Sequence, residues 1–153
     1  MDDVLNDLSE KGVAELYSVP RVAEVARDMG LQQGWSLDKV TGWDFDQANV
    51  RRKARELMDR TRPRLLVGSP MCTFFSTLMN WNWSRMSPER AQTAWDNAVM
   101  HLEFATEMYR AQMDAGRLFV HEHPAAASSW KLPCMQALLT DPGVRKPIAH
   151  QCE

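Results

Sequence analysis

The sequence predicts an α/β fold built on one doubly wound, mostly parallel, Rossmann-like sheet, and three observations carry that expectation. Strand-like and helix-like segments alternate along the chain, the pattern of βαβ units. The apolar run Leu65 to Val67 reads as a buried parallel strand, and it stops at Gly68-Ser69-Pro70, a turn that presents Cys72. The run Leu118 to Val120 ends in the same manner, at His121-Glu122-His123-Pro124. Open α/β sheets place reactive groups in the crevice at the carboxyl ends of their strands. Two strands here therefore end in a potential nucleophile and a potential acid.

The elements follow in order. After an N-terminal extension over 1–13, Ala14 to Tyr17 make a short first strand. Pro20 opens a helix toward Met29, with Val22, Val25, Ala26 and Met29 on one apolar face, and Gly30 stops it. Trp35 to Leu37 give a second strand ending at Asp38, followed by a turn-rich stretch from Lys39 to Asp46. Ala48 to Arg60 form an amphipathic helix whose Arg51, Arg52, Arg55 and Arg60 read most simply as a solvated face. Beyond Cys72, residues 77–87 are expected to form a mobile active-site loop.

Ser87-Pro88-Glu89 is a strong helix start, with a cap, a proline in the first position and an acid in the first turn. That helix runs toward Ala115 with a buried stripe through Ala98, Leu102, Ala105 and Tyr109, and Gly116 ends it. A last helix from Pro133 to Leu139 leads to a strand at Ile148 to His150.

Composition bounds the function. At 153 residues the chain is one domain, 1–153, with 44% hydrophobic and 25% charged residues. A formal charge of -2 gives no general attraction to nucleic acid, so any such binding uses a local patch. No apolar run approaches the ~20 residues that span a bilayer. The acidic N-terminus, MDDVLNDLSEKG, lacks the basic and apolar regions of a signal peptide, so an intracellular, cytoplasmic location without membrane partners is expected.

The cysteines, Cys72, Cys134 and Cys152, form an odd and sparse set that fits a reducing compartment. No metal is expected. His121 and His123 are read as pointing to opposite sides of an extended chain. A zinc deaminase needs His-x-Glu and Pro-Cys-x-x-Cys. Here His121 directly precedes Glu122, and Pro133-Cys134 has no second cysteine three residues on.

Gly68-Ser69-Pro70-Met71-Cys72-Thr73-Phe74-Phe75-Ser76 resembles the catalytic loop of C5-cytosine DNA methyltransferases, Gly-x-Pro-Pro-Cys-Gln-x-Phe-Ser. Gly68, Pro70, Cys72, Phe75 and Ser76 match, while Met71 replaces the second proline and Thr73 the glutamine. Phe119-Val120-His121-Glu122-His123-Pro124 is similar to the family's Phe-x-x-Glu-Asn-Val segment, with Glu122 at the glutamate and His123 at the asparagine. Glu15-Leu16-Tyr17-Ser18 resembles the opening Asp-Leu-Phe-Ser, and Gly42-Trp43-Asp44-Phe45 resembles the Gly-Asp-Ile element that contacts adenine. The likeness extends from Glu15 to about Pro124. The family's Gly-x-Gly-Gly loop is replaced by Ser18-Val19-Pro20-Arg21, which has no glycine.

The resemblance implies a methyltransferase-type sheet without a target-recognition domain, and DNA as partner. It implies S-adenosylmethionine as cofactor, held by Tyr17, Ser18, Asp38, Asp44, Ser69 and Pro70. Cys72, Glu122 and His123 would be catalytic. A thiolate adding at carbon 6 of cytosine makes an enamine and raises electron density at carbon 5, which splits one difficult step into easier ones. A hydrogen-bonding Glu at N3 stabilises the charge that develops on the ring. The base must leave the duplex to reach such a pocket. Ser76, Asn80, Trp81, Trp83 and Arg85 would contact the nucleic acid, aromatics stacking on bases and the guanidinium pairing with phosphate.

Simpler readings stand beside these. Cys72 can be a small buried apolar residue, Glu122 a structural hydrogen-bonder, and Asp38 a turn cap. Trp81 and Trp83 can pack over the long helix. The glycine-free loop favours a non-catalytic module on a degenerate methyltransferase scaffold, binding nucleic acid, a nucleotide or a protein. A homo-oligomer or a partner chain that completes the fold is also expected.

Overall fold

The computed structural model describes residues 12–149, apart from the side chains of Leu78, Asn80 and Trp81. Strands β1 (Val13–Leu16), β2 (Gln33–Leu37), β3 (Leu65–Gly68) and β4 (Leu118–His121) form one all-parallel sheet in the order β2-β1-β3-β4. The helices are α1 (Val22–Asp28), α2 (Ala48–Thr61), α3 (Asn80–Trp83), α4 (Pro88–Asp114) and α5 (Pro133–Leu139).

Alternation along β1 shows how the sheet is buried on both faces. Ala14 and Leu16 join the main core with Leu66 and with Met58 of α2, Leu102, Met108 and Tyr109 of α4, and Leu138 of α5. Val13 turns the other way, into a smaller cluster with Val67 and Ala26 of α1. Helices α2, α4 and α5 thus cover one face and α1 the other, as the crossovers of a parallel sheet require. The connection through α1 steps from β1 to β2, and those through α2 and α4 step the opposite way on the opposite face. All three therefore have the same hand.

The long helix starts where its sequence says it should. Ser87 Oγ accepts from Arg90 N and Pro88 occupies the first position. Tyr109, fully buried on the α4 stripe, lies against the end of β3, where a Cβ at position 68 would collide with its hydroxyl. Gly68 is therefore required for α4 to close on the sheet.

Three expectations need correction. On α1 the buried residues are Ala23 and Ala26, while Val22, Val25 and Met29 are exposed. The two alanines let this short helix lie close to β1 and β2, and that close seat turns the larger side chains outward. Ile148 and Ala149, expected in a strand, are irregular, and His150 lies outside the described residues. Residues 77–87 also hold more structure than a loop, namely a turn at Thr77–Met79 and α3. No helix among the described residues is long and apolar enough to cross a membrane.

Candidate active site

Strand register brings the site residues into line. Leu37, Leu16, Gly68 and His121 pair in one row across the sheet. The residues that follow them, Asp38, Tyr17, Ser69 and Glu122, leave the carboxyl edge side by side, on strands ~4.8 Å apart. β1 and β3 meet where the winding reverses, the position at which open sheets bind ligands. Cys72 lies three residues beyond Ser69, in the loop that follows β3, the strand next to the one that delivers Glu122.

A cleft of about 140 Å³ opens at this edge, walled by Tyr17, Asp38, Asp44 and Ser69 together with Trp43 and His101. Ser18 and Pro70 are placed elsewhere. Ser18 Oγ donates to Glu15 Oε1 at 3.0 Å, and Pro70 is buried beneath the cysteine loop. Asp38 Oδ1 accepts from Val40 N at 2.8 Å and so also caps its own turn.

One wall of the cleft is a polar chain. Tyr17 Oη lies 2.9 Å from His101 Nδ1, and His101 Nε2 lies 2.8 Å from Asp46 Oδ1. An aspartate accepts from Nε2–H, which leaves Nδ1 to accept from the phenol. Lys39 Nζ bridges Asp44 at 3.0 Å and Asp46 at 2.9 Å. The Lys39 ammonium and the Asn97 amide hold the Asp46 carboxyl well below the usual range, and Asp46 in turn pushes Lys39 up to about 12. Burial pushes the Tyr17 phenol far up.

Tyr17 has φ 61°, a left-handed conformation that normally costs a non-glycine residue on the order of 1 kcal/mol or more. Its hydrogen bond to His101 and its ring contact with Phe45 at 4.7 Å hold it there. The sequence reading missed His101, Asp46 and Lys39. A signal for His101 existed, because it falls three residues after Ala98 on the apolar stripe of α4.

Below the cleft, Glu15 is 1% exposed and saturated with donors. Its oxygens accept from the backbone N–H groups of Arg21, Val22 and Ala23 at 2.9, 3.1 and 2.9 Å, and from the hydroxyls of Ser18 and Ser36. Burial alone would raise its pKa. The amides of Arg21, Ala23 and Val22 outweigh burial and hold it below the ordinary carboxylate value. The start of α1, which in glycine-rich loops meets a ligand's negative charge, is here met by the chain's own carboxylate.

The cysteine loop is pinned from β4. His123 is buried, with Nε2 at 2.9 Å from Pro70 O and Nδ1 at 2.7 Å from Ser129 Oγ. A carbonyl only accepts, so Nε2 carries the proton and Nδ1 accepts from the hydroxyl. Burial lowers the His123 pKa. Both ring nitrogens are thus engaged, and His123 acts on the position of the loop. Ser69 N donates to Leu16 O at 3.1 Å, and Phe75 packs against Trp95 and His123. Cys72 is half-buried and Glu122 exposed.

His121 shares a face with His123, their rings 4.8 Å apart, which corrects the expectation of opposite sides. Residues two apart in a strand point the same way. The Tyr109 hydroxyl lies 3.0 Å from His121 Nδ1, while Nε2 is buried without a partner among the described residues. Burial, with His123 beside it, lowers the His121 pKa to about 3.

Of the residues assigned to nucleic acid, Ser76 is half-buried and Arg85 exposed. The Trp83 ring packs against Phe74 at 6.0 Å and Trp95 at 6.3 Å. The side chains of Asn80 and Trp81 lie outside the described residues. On α2, Arg52 and Arg60 are exposed as expected, but Arg51 and Arg55 are not simply solvated. Arg51 donates to Phe45 O, and Arg55 grips Glu107 with two hydrogen bonds of 2.5 and 2.6 Å.

The donor set suits a nucleoside, with the Asp38 carboxylate at a strand end for ribose hydroxyls and aromatic walls from Trp43 and Phe45. The volume fits only part of one, since small-molecule sites usually run to roughly 300–1,000 Å³. Compared with known proteins, the chain matches no family model, no curated protein and no solved structure.

Proposed function

We propose that the protein is a DNA (cytosine-5-)-methyltransferase-like enzyme that acts on a flipped cytosine through the Cys72 thiolate. The observation that supports this reading is the flush row of strand ends. It brings the Cys72 loop and Glu122 to one edge while Tyr17, Asp38, Asp44 and Ser69 line a cleft beside them. S-adenosylmethionine, when bound, supplies an electrophilic methyl group. Asp38 and Asp44 would hold it, with Tyr17 and Ser69 lining the same cleft.

The chain's own residues would do the rest. Cys72 Sγ forms a bond to carbon 6 of the ring, and the displaced electron pair is available at carbon 5. Glu122 hydrogen-bonds the ring at N3 as charge develops there. Once carbon 5 is methylated, its proton would pass to solvent water, and the electron pair left behind would re-form the C5–C6 double bond as the Cys72–C6 bond breaks and the thiolate leaves. His123 holds Pro70 O, two residues before Cys72, and would act as a positioning residue for that loop. The assay is transfer of a labelled methyl group to cytosine-containing DNA, together with intact mass after incubation with 5-fluorocytosine DNA and the donor. Wild type retains label and forms a covalent adduct, and Cys72→Ala does neither. Absence of an adduct with wild type refutes the reading.

A second reading is favoured by two observations, the small cleft and the carboxylate of Glu15 at the start of α1. In that reading the scaffold binds nucleic acid, a nucleotide or a protein without a methyl donor. It predicts binding that tolerates Cys72→Ala and no heat of binding with S-adenosylhomocysteine.

A further inference from the structure

The polar chain in the cleft wall runs in a chemically ordered sequence of hydroxyl, imidazole and carboxylate. Tyr17 Oη lies 2.9 Å from His101 Nδ1, and its other contact, the backbone oxygen of His101, is longer at 3.3 Å. With Asp46 accepting from Nε2–H, the Nδ1 lone pair is turned to the phenol. A hydroxyl, a base within reach of it and a third group that orients the base are the geometric signature of an activated nucleophile. Each member is fixed from outside. Asp46 Oδ2 accepts from Lys39 Nζ at 2.9 Å and Oδ1 from Asn97 Nδ2 at 3.1 Å. His101 is buried on α4, with its ring edge-on to Tyr17 at 5.5 Å.

The backbone supplies a second, independent observation. Tyr17 is the residue just past β1, and α1 follows at Val22. Its φ of 61° is left-handed in a side chain that rarely adopts it, and strain of this kind concentrates at functional positions. A strained turn between a strand and a helix is also how an unrelated α/β architecture raises its nucleophile above a sheet. Tyr17 and His101 both line the cleft of about 140 Å³. Burial keeps the phenol protonated at rest. That does not disarm it, because a hydroxyl paired with a base gives up its proton as it attacks, not before.

We propose that Tyr17 is a nucleophile, activated by His101 and positioned through Asp46, that takes a small uncharged acyl group from an ester bound in the cleft. Size and charge set that substrate class. At ~30 Å³ for each water-sized group, the space holds only a short acyl chain. Asp38, Asp44 and Asp46 outnumber Lys39 in its walls, which disfavours phosphoryl and other anionic groups. Tyr17 Oη bonds to the carbonyl carbon as its proton passes to His101 Nδ1, and Asp46 balances the imidazolium charge. The ester C–O bond breaks, and the departing alcohol takes the proton from Nδ1. Water then attacks the tyrosyl ester and gives a proton to Nδ1. The bond to Oη breaks, Nδ1 returns the proton to Oη, and the carboxylic acid leaves. This goes beyond the methyl-transfer reading, uses neither Cys72 nor Glu122, and describes the cleft with no cofactor in it.

Methanesulfonyl fluoride, a small uncharged electrophile, tests the proposal on the 153-residue chain, with the labelled residue located by peptide mass spectrometry. Attack forms an O–S bond, expels fluoride and sends the phenol proton out through His101. One methanesulfonyl group is expected on Tyr17. Asp46→Asn and His101→Gln should slow that labelling on the order of 100-fold. The Asp46→Asn amide donates to Nε2, so the nitrogen NMR shifts of His101 should also show its proton moved to Nδ1, where it blocks transfer from the phenol. With p-nitrophenyl acetate, Tyr17 should carry an acetyl group during turnover. A wild-type chain that takes no label on Tyr17 overturns the proposal, as does a labelling rate that both variants leave unchanged. Neither DNA nor a methyl donor is present, so the result is independent of the methyl-transfer assay.

Discussion

Removing the Glu15 carboxylate should be the most costly single substitution near the cleft. The wild-type side chain is 1% exposed and satisfies three backbone donors and two hydroxyls. Glu15→Ala strands the N–H groups of Arg21, Val22 and Ala23 at the start of α1. A buried donor left unpaired costs about 1–3 kcal/mol, and the vacated volume lets one or two waters recover part of that. The net loss should be about 3–5 kcal/mol. For a domain of this size that lowers Tm by roughly 10 °C. Glu15→Gln keeps the shape but turns an amide toward donors, and should cost about half as much.

The pH dependence follows from the lowered pKa. The unfolded chain binds the proton more readily than the folded one, so the contribution of Glu15 is full above its unfolded value near 4.5 and is lost as pH falls through the folded value. Urea titrations followed by tryptophan fluorescence, repeated between pH 7 and pH 3, measure both effects. A loss below about 1 kcal/mol for Glu15→Ala, or a wild-type acid slope unchanged in Glu15→Gln, would refute the reasoning.

Three further outcomes are expected. Gly68→Ala drives a Cβ into the Tyr109 hydroxyl and should destabilise by about 1–3 kcal/mol, with part of the loss recovered in the Gly68→Ala/Tyr109→Phe double variant in a thermal-melt cycle. His121 binds its proton far less readily in the folded chain than at its ordinary 6.5, so its contribution is complete above pH 6.5 and falls by about 1.4 kcal/mol per pH unit below it. Replacing it by Phe should flatten denaturant midpoints between pH 6.5 and pH 4.5. His123→Ala frees Pro70 O, and thermal melts should fall while the rate of Cys72 alkylation by iodoacetamide rises, since the loop is no longer clamped from β4.

The sheet was legible because parallel strands buried on both faces are short continuous apolar runs. Leu65 to Val67 is such a run, and Leu118 to Val120 was legible from the same composition and the turn that follows it, although Leu118 and Val120 lie exposed. The helix at Ser87-Pro88-Glu89 was legible from capping chemistry alone. What could not be read was which side of α1 meets the sheet. Val22, Val25 and Met29 look like a core stripe, but the choice was made by close approach, which favours Ala23 and Ala26. The positions of Asp38, Tyr17, Ser69 and Glu122 in one row come from register, and register is a property of pairs of strands. The chain from Tyr17 to Asp46 was hidden for a related reason, because its three members come from a strand end, a loop and the middle of a helix. His123 could be placed near the cysteine loop from sequence, but not its tie to Pro70 O.

The phenol of Tyr109 touches the last residue of β3 and grips the last residue of β4. One side chain on α4 therefore couples the two strands that carry the thiol and the carboxyl group, so neither can drift without the other. Substitutions along the buried stripe of that helix, well away from any ligand, should consequently alter both partners at once, and screens for altered activity should recover positions there as readily as at the cleft.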